Sequence, residues 1–247
     1  MVSTHVTETA SPVPQQTSSE TGLMSSSIGK KLLTGITGLG LLLFVVVHLL
    51  GNLTLFFSAP AFNQIAHLID SLGPLLYLIE FVLVAMVLVH AFLGIKIFLG
   101  RLRARPVSYD RYTSAGKPSR QSWGSRTMIF SGALLGGFLV WHLATFKFGV
   151  VYSLPNSGDR DLARLVFETF QKPEYTFGYV AILSFLGLHL RHGIWSALQS
   201  LGVATKPSTF LASAVIASAI ALGFIGLPLA IYFHIIPLHP SPFLPMS

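Results

Sequence analysis

Residues 32–57 read LLTGITGLGLLLFVVVHLLGNLTLFF. No Asp, Glu, Lys or Arg occurs anywhere from Leu32 to Ile69. Roughly 20 apolar residues in helical form span a bilayer, so this stretch predicts a transmembrane helix with His48 inside it. Four more stretches of that kind follow, at 75–102, 127–148, 175–201 and 209–236. The chain therefore reads as an all-α membrane protein of five helices, I to V, over residues 28–236.

Composition agrees. The 247 residues are 52% hydrophobic and 10% charged, against about 25% charged in soluble domains, which argues against an ordinary soluble enzyme. There is no Cys. That excludes a disulfide, a thiolate zinc site, a self-held iron–sulfur cluster and a c-type haem linkage. Residues 1–27 are rich in Ser, Thr, Pro and Gln, lack the basic start of a cleavable signal, and read as a disordered cytoplasmic tail. Residues 237–247 hold four prolines and read as an external tail that cannot extend helix V.

Lys and Arg placement sets the expected orientation. Lys30 and Lys31 precede helix I, seven Lys and Arg lie between Arg101 and Arg126, and Lys206 precedes helix V. The opposite side mixes Lys147, Arg160, Arg164 and Lys172 with Asp70, Asp159, Asp161, Glu168 and Glu174. The N-terminus is expected in the cytoplasm and the C-terminus outside, so the formal charge of +7 is a topology signal. Between helices III and IV, residues 161–168 form an amphipathic pattern expected to lie as a short helix along the external membrane surface.

Ionisable side chains inside a bilayer are costly and point to function. Five of the nine His fall within spans: His48, His90, His142, His189 and His192. A lone buried His is commonly a hydrogen-bonded packing residue. Four successive helices each carrying one is a different pattern, because imidazole is a common axial ligand of haem iron. Two b haems with two imidazoles each need four.

Depth tests the idea at ~1.5 Å per helical residue. Counted from the outer ends of their helices, His48 lies ~15 Å and His142 ~10 Å deep. His90 lies ~24 Å and His189 ~21 Å deep. These make an outer pair and an inner pair, a layout that conducts electrons across a membrane. His192 competes with His189 from nearly the same face, but its offset from His90 is larger. Gly35, Gly38, Gly40, Gly132, Gly136, Gly137 and Gly193 flank these positions. They suit close helix packing and equally leave room for a flat macrocycle.

An ordered set of segments also resembles a known family. It comprises Thr37-Gly38-Leu39 through His48-Leu49-Leu50-Gly51-Asn52, Phe62-Asn63 with Ala66-His67, and His90-Ala91-Phe92-Leu93-Gly94. It continues with Arg105-Pro106 to Tyr109, Ser125-Arg126 to Trp141-His142, and His189 through His192-Gly193 to Ser196. Over residues 28–202 the chain resembles the di-haem cytochrome b membrane anchor of succinate:quinone oxidoreductase and fumarate reductase, in its single-subunit five-helix type.

That resemblance implies a flavoprotein subunit with FAD and an iron–sulfur subunit as cytoplasmic partners, two haem b groups, and a quinone, menaquinone being common among di-haem relatives. It implies His48 and His142 as ligands of the outer haem and His90 and His189 of the inner one. It also sets Thr34 and Arg126 near the inner haem and Arg164 at the outer propionates. Succinate chemistry would then belong to the partners. An external quinone site is expected near Asn63, His67 and Asp70, and a cytoplasmic-side site could involve Lys31, Trp123, Arg126, His192 and Trp195. One departure is Gly187, where some members carry a Glu proposed for proton transfer. The competing readings are the cytochrome b anchor of a nitrate reductase or formate dehydrogenase, and a haem-free proton-coupled transporter.

Overall fold

The computed structural model describes residues 26–104, 123–155, 157–203 and 206–236. The expected tails and most of the basic II–III connection lie outside these residues. Within them the chain is helical, with an isolated Ser153–Arg160 bridge in the connection before α5.

Helix α1 (Ser27–Leu53) starts where the Ser26 hydroxyl accepts from the Gly29 amide at 2.9 Å. Its two threonines, Thr34 and Thr37, return their hydroxyls to the carbonyls of Lys30 (2.7 Å) and Leu33 (2.8 Å). That satisfies them inside the helix, as a membrane span requires. A short 3-10 turn, Thr54–Phe56, closes the span.

The I–II connection is helical rather than irregular. Ser58 caps α2 (Ala59–Asp70) through the Ala61 amide, and Pro60 occupies its first turn. Gly73, at φ 54°, makes the reversal into α3 (Pro74–Ala104). Helix α4 (Trp123–His142) continues as a π-helical turn over Leu143–Lys147, the wide-turn geometry that frequents functional sites. Asp161 caps α5 (Leu162–Phe170). Pro173 opens α6 (Pro173–Ser200), and Pro207 opens α7 (Pro207–Tyr232). The fifth helix ends earlier than expected from apolarity, because His234 turns left-handed at φ 55°.

Five helices, α1, α3, α4, α6 and α7, are long and apolar enough to cross a membrane. Their outward faces are apolar: Leu43, Phe81, Val140 and Leu211 are each about two-thirds exposed, the surface that lipid covers. Helix α3 packs chiefly on α1, α1 and α4 pack on α6, and α7 lies along α6 and α1. Small residues permit these approaches. A Cβ on Gly35 would sit 3.4 Å from the Ala197 backbone, one on Gly187 3.0 Å from Ala221 Cβ, and one on Gly223 3.1 Å from Leu49.

The two ends of the bundle differ. One end carries Lys30, Lys31, Arg101, Arg103 and Lys206, and is here the basic end. The other is covered by α2 and α5, and is the capped end. Helix α5 does not simply lie on a membrane surface. Ala163, Leu165, Val166, Phe167, Thr169 and Phe170 are buried, in a core shared with Leu55, Phe62, Tyr179, Leu227 and Ile231. Its charged face, Arg164 and Glu168, turns outward. Asn63 joins the two cap helices: its amide donates to Asp161 Oδ1 at 2.8 Å and accepts from the Ala163 amide at 2.8 Å.

Candidate functional site: two histidine pairs within the bundle

Each of four spans turns one imidazole into the bundle, and the imidazoles meet in two pairs. Toward the capped end, His48 of α1 and His142 of α4 have ring centres 5.8 Å apart with planes at 89°. Nearer the basic end, His90 of α3 and His189 of α6 are 6.3 Å apart at 66°. All four rings are only partly exposed.

Hydrogen bonds fix which ring nitrogen is free. His90 Nδ1 lies 3.1 Å from the Thr34 carbonyl, and His189 Nδ1 lies 3.0 Å from the Ser131 hydroxyl. A carbonyl can only accept, so His90 carries its proton on Nδ1 and presents an unprotonated Nε2. Ser131 donates its own proton to the Met128 carbonyl (3.2 Å), leaving its oxygen to accept from His189 in the same way. His142 Nδ1 meets the buried Tyr179 hydroxyl at 3.3 Å. His48 is held differently, with its Nε2 3.4 Å from the Asn52 amide. Aromatic rings wall the pair at the capped end: Phe44 and Phe224 lie on His48, and Phe138 and Phe146 on His142.

The glycines read both ways. A Cβ on Gly38 would lie 3.1 Å from His90 Cε1, and one on Gly132 3.6 Å from His189 Cε1, so both let helix backbone approach a ring. Gly51, Gly94, Gly136 and Gly137 would meet no atom within 4 Å.

Two imidazole–metal bonds of about 2 Å in line, plus the ring radii, set ring centres about 6 Å apart. Both pairs have that span. Among the described residues no group of three or more His, Cys, Asp or Glu gathers at one point, so a structural zinc site of four protein ligands is not offered here. Two facing imidazoles and no third ligand among the described residues match a metal whose other ligands come from a macrocycle, as in haem. The residues present fit that group.

The remaining expected site residues scatter. Thr34 reaches the pair nearer the basic end through its carbonyl. His192 is half-buried one turn beyond His189, and the ring facing His90 is that of His189. Lys31 is exposed at the start of α1. Trp195 is buried edge-on to Phe210, a packing position between α6 and α7. Trp123 and Arg126 fall in the first turn of α4, and their side chains lie outside the described residues. At the capped end Asn63 is buried and occupied with α5, whereas His67 is exposed with Nδ1 3.3 Å from Asp159 Oδ1, and Asp70 is exposed.

The two arginines of the cap face opposite ways. Arg164 Nε binds Glu168 Oε1 at 2.7 Å, and its guanidinium covers the Tyr152 ring at 4.1 Å. Burial raises the Glu168 pKa, but hydrogen bonds from Tyr152 and Arg164 outweigh it and hold the carboxyl below its usual range. Arg164 is thus committed to the outer surface. Arg160 turns inward: its Nη2 donates 2.7 Å to the Phe146 carbonyl, at the end of the π turn that follows His142, and its Nε is buried with no partner. A buried guanidinium donor without an acceptor is expensive, so this group is available to an anion beside the His142 pair. Sequence spacing alone did not distinguish Arg160 from Arg164, since four residues apart in a connection leaves either free to turn inward.

No curated protein and no solved structure gives a match to the chain. The family described as succinate dehydrogenase/fumarate reductase transmembrane subunit matches residues 101–235, more than half of the 247 residues. That stretch contains His142 and His189, and their partners His48 and His90 precede it. The chain belongs to the family of succinate dehydrogenase/fumarate reductase transmembrane subunits.

Proposed function

We propose that this subunit anchors the flavoprotein and iron–sulfur subunits of a succinate dehydrogenase or fumarate reductase at its basic end, and carries electrons between them and a membrane quinone. The observation that supports it most is the meeting of four imidazoles from four spans in two pairs at two depths. His48 with His142, and His90 with His189, would each hold one b haem. Bound there, the haems supply one-electron carriers on both sides of the membrane midplane.

The chain's own work is to hold and orient. Thr34 and Ser131 keep Nδ1 of His90 and His189 occupied, which aims Nε2 across each gap and raises ligand basicity. Tyr179 meets His142 Nδ1 and fixes the orientation of that ring. His48 needs a small ring rotation away from Asn52 to present Nε2. Phe44, Phe138, Phe146 and Phe224 exclude water from the pair they surround. Arg160 supplies the buried cation for a carboxylate at the capped end, in place of Arg164. The absence of Lys and Arg excess at the capped end makes the basic end the cytoplasmic one.

The test is reduction in the assembled complex. Adding succinate is expected to raise a b-type α-band, and adding quinone to bleach it. A complex that reduces quinone while no such band responds contradicts the reading. Arg160→Gln is expected to weaken cofactor retention at the capped end about tenfold, the cost of one charge-assisted contact, whereas Arg164→Gln leaves retention unchanged. Haem quantitation after a detergent wash separates the two.

A further inference from the structure

Arg191 lies two residues after His189, about 200° around the helix, so it points away from the histidine pairs. It is exposed, on the same side as Phe177 and Leu188, each close to half exposed. That side meets lipid. Helix α6 has 28 residues, or ~42 Å, against a hydrocarbon core of ~30 Å. Arg191 is nine residues from Ser200, about 14 Å from the end of the helix. A guanidinium there faces hydrocarbon unless its side chain carries it to the headgroups.

It is so carried. Its guanidinium lies 5.0 Å over the ring of Phe210, in the first turns of α7 at the basic end. Phe210 is one helical turn from Lys206, the exposed residue that caps α7. Neither cation has a protein counterion among the described residues: the ion pairs there are His67–Asp159, Lys147–Glu80 and Arg164–Glu168. The described carboxylates, Asp70, Glu80, Asp159, Asp161, Glu168 and Glu174, all belong to the capped half. Two cations at headgroup level, flanked by exposed Leu188, Leu211 and Val215, have no anionic partner among the described residues.

We propose that Arg191 and Lys206 bind the phosphate of an anionic phospholipid, whose acyl chains cover the apolar stripes of α6 and α7. The site is independent of the haem reading, since Arg191 faces the opposite way from His189.

The test uses the assembled complex in nanodiscs of phosphatidylcholine doped with spin-labelled phosphatidylglycerol. The intact complex is expected to immobilise the anionic label in preference to labelled phosphatidylcholine. Arg191→Gln is expected to reduce that preference about fivefold, the contribution of one basic residue near a charged lipid surface. Lys206→Gln, at an exposed position where folding is not at risk, should reduce it similarly. The reduced-minus-oxidised spectrum should stay unchanged in both. Equal preference in variants and parent overturns the proposal. So does loss of the label to added inorganic phosphate, or release of the catalytic subunits by Arg191→Gln with lipid preference intact, which would make this a protein contact.

Discussion

His142→Ala is expected to reduce haem content from about two per chain to about one, with the loss confined to the pair at the capped end. His142 is the last α-helical residue of α4, its ring is 5.8 Å from His48, and no second imidazole of the described residues stands beside it to substitute. A single remaining axial nitrogen loosens haem, and an unfilled cavity beside Phe138, Phe146 and Phe224 is left behind. His90→Ala should remove the other haem instead. His189 then loses its partner, and His192 cannot restore the span, being a turn away on the same helix. The check is haem quantitation and low-temperature absorbance on each purified variant. If His90→Ala emptied the capped-end site and spared the other, the pairing would be wrong.

Asn63→Ala is expected to destabilise the cap by about 2–4 kcal/mol. The change leaves Asp161 with one acceptor contact fewer and the Ala163 amide without a partner, both in buried surroundings. The penalty for orphaned buried groups exceeds the net value of the bonds themselves. Exchanging the pair, Asn63→Asp with Asp161→Asn, again sets a donor against an acceptor between the two side chains and at the Ala163 amide, but turns an NH2 toward the Arg164 amide that Asp161 Oδ1 now accepts, so it should recover only part of the loss. Thermal unfolding and protease cleavage between α4 and α5 measure it. A loss below about 0.5 kcal/mol for Asn63→Ala would mean the contact does not hold the cap. Tight closure matters because α5 carries Phe167 and Phe170 into the core beside Tyr179, the residue that bonds His142.

The spans were legible because membrane crossing is a length-and-apolarity condition that one stretch of sequence satisfies by itself. The meeting of His48 with His142 and of His90 with His189 was legible for a related reason. Helical rise is uniform, so residue counts convert to depth, and depth leaves few pairings. The cap was less legible. Residues 161–168 carried the amphipathic signal of α5, but what that face packs against depends on Leu55, Leu227 and Ile231 from distant helices. Helix α2 has a single charged residue, Asp70 at its very end, to mark a solvent face, and its Asn63 finds partners some hundred residues away. Asn63 therefore looked like a site residue, whereas the structure gives both ends of its amide to α5. Arg160 escaped notice for the converse reason. Its inward turn follows from the Ser153–Arg160 bridge and the carbonyl at the end of the π turn, neither of which has a signature in local sequence. Trp195 entered the cytoplasmic-side quinone set because its position is near a helix end, and it is buried edge-on to Phe210 of α7.

The central claim is that the four imidazoles hold two haems, one in each pair. Pyridine haemochrome quantitation on the purified chain, referenced to protein by amino-acid analysis, tests it most directly. The account predicts about two b haems per chain, with reduced spectra that lack c-type character because there is no Cys to link a vinyl group. A purified, folded chain with no b-type α-band, or one saturating at a single haem, would contradict it.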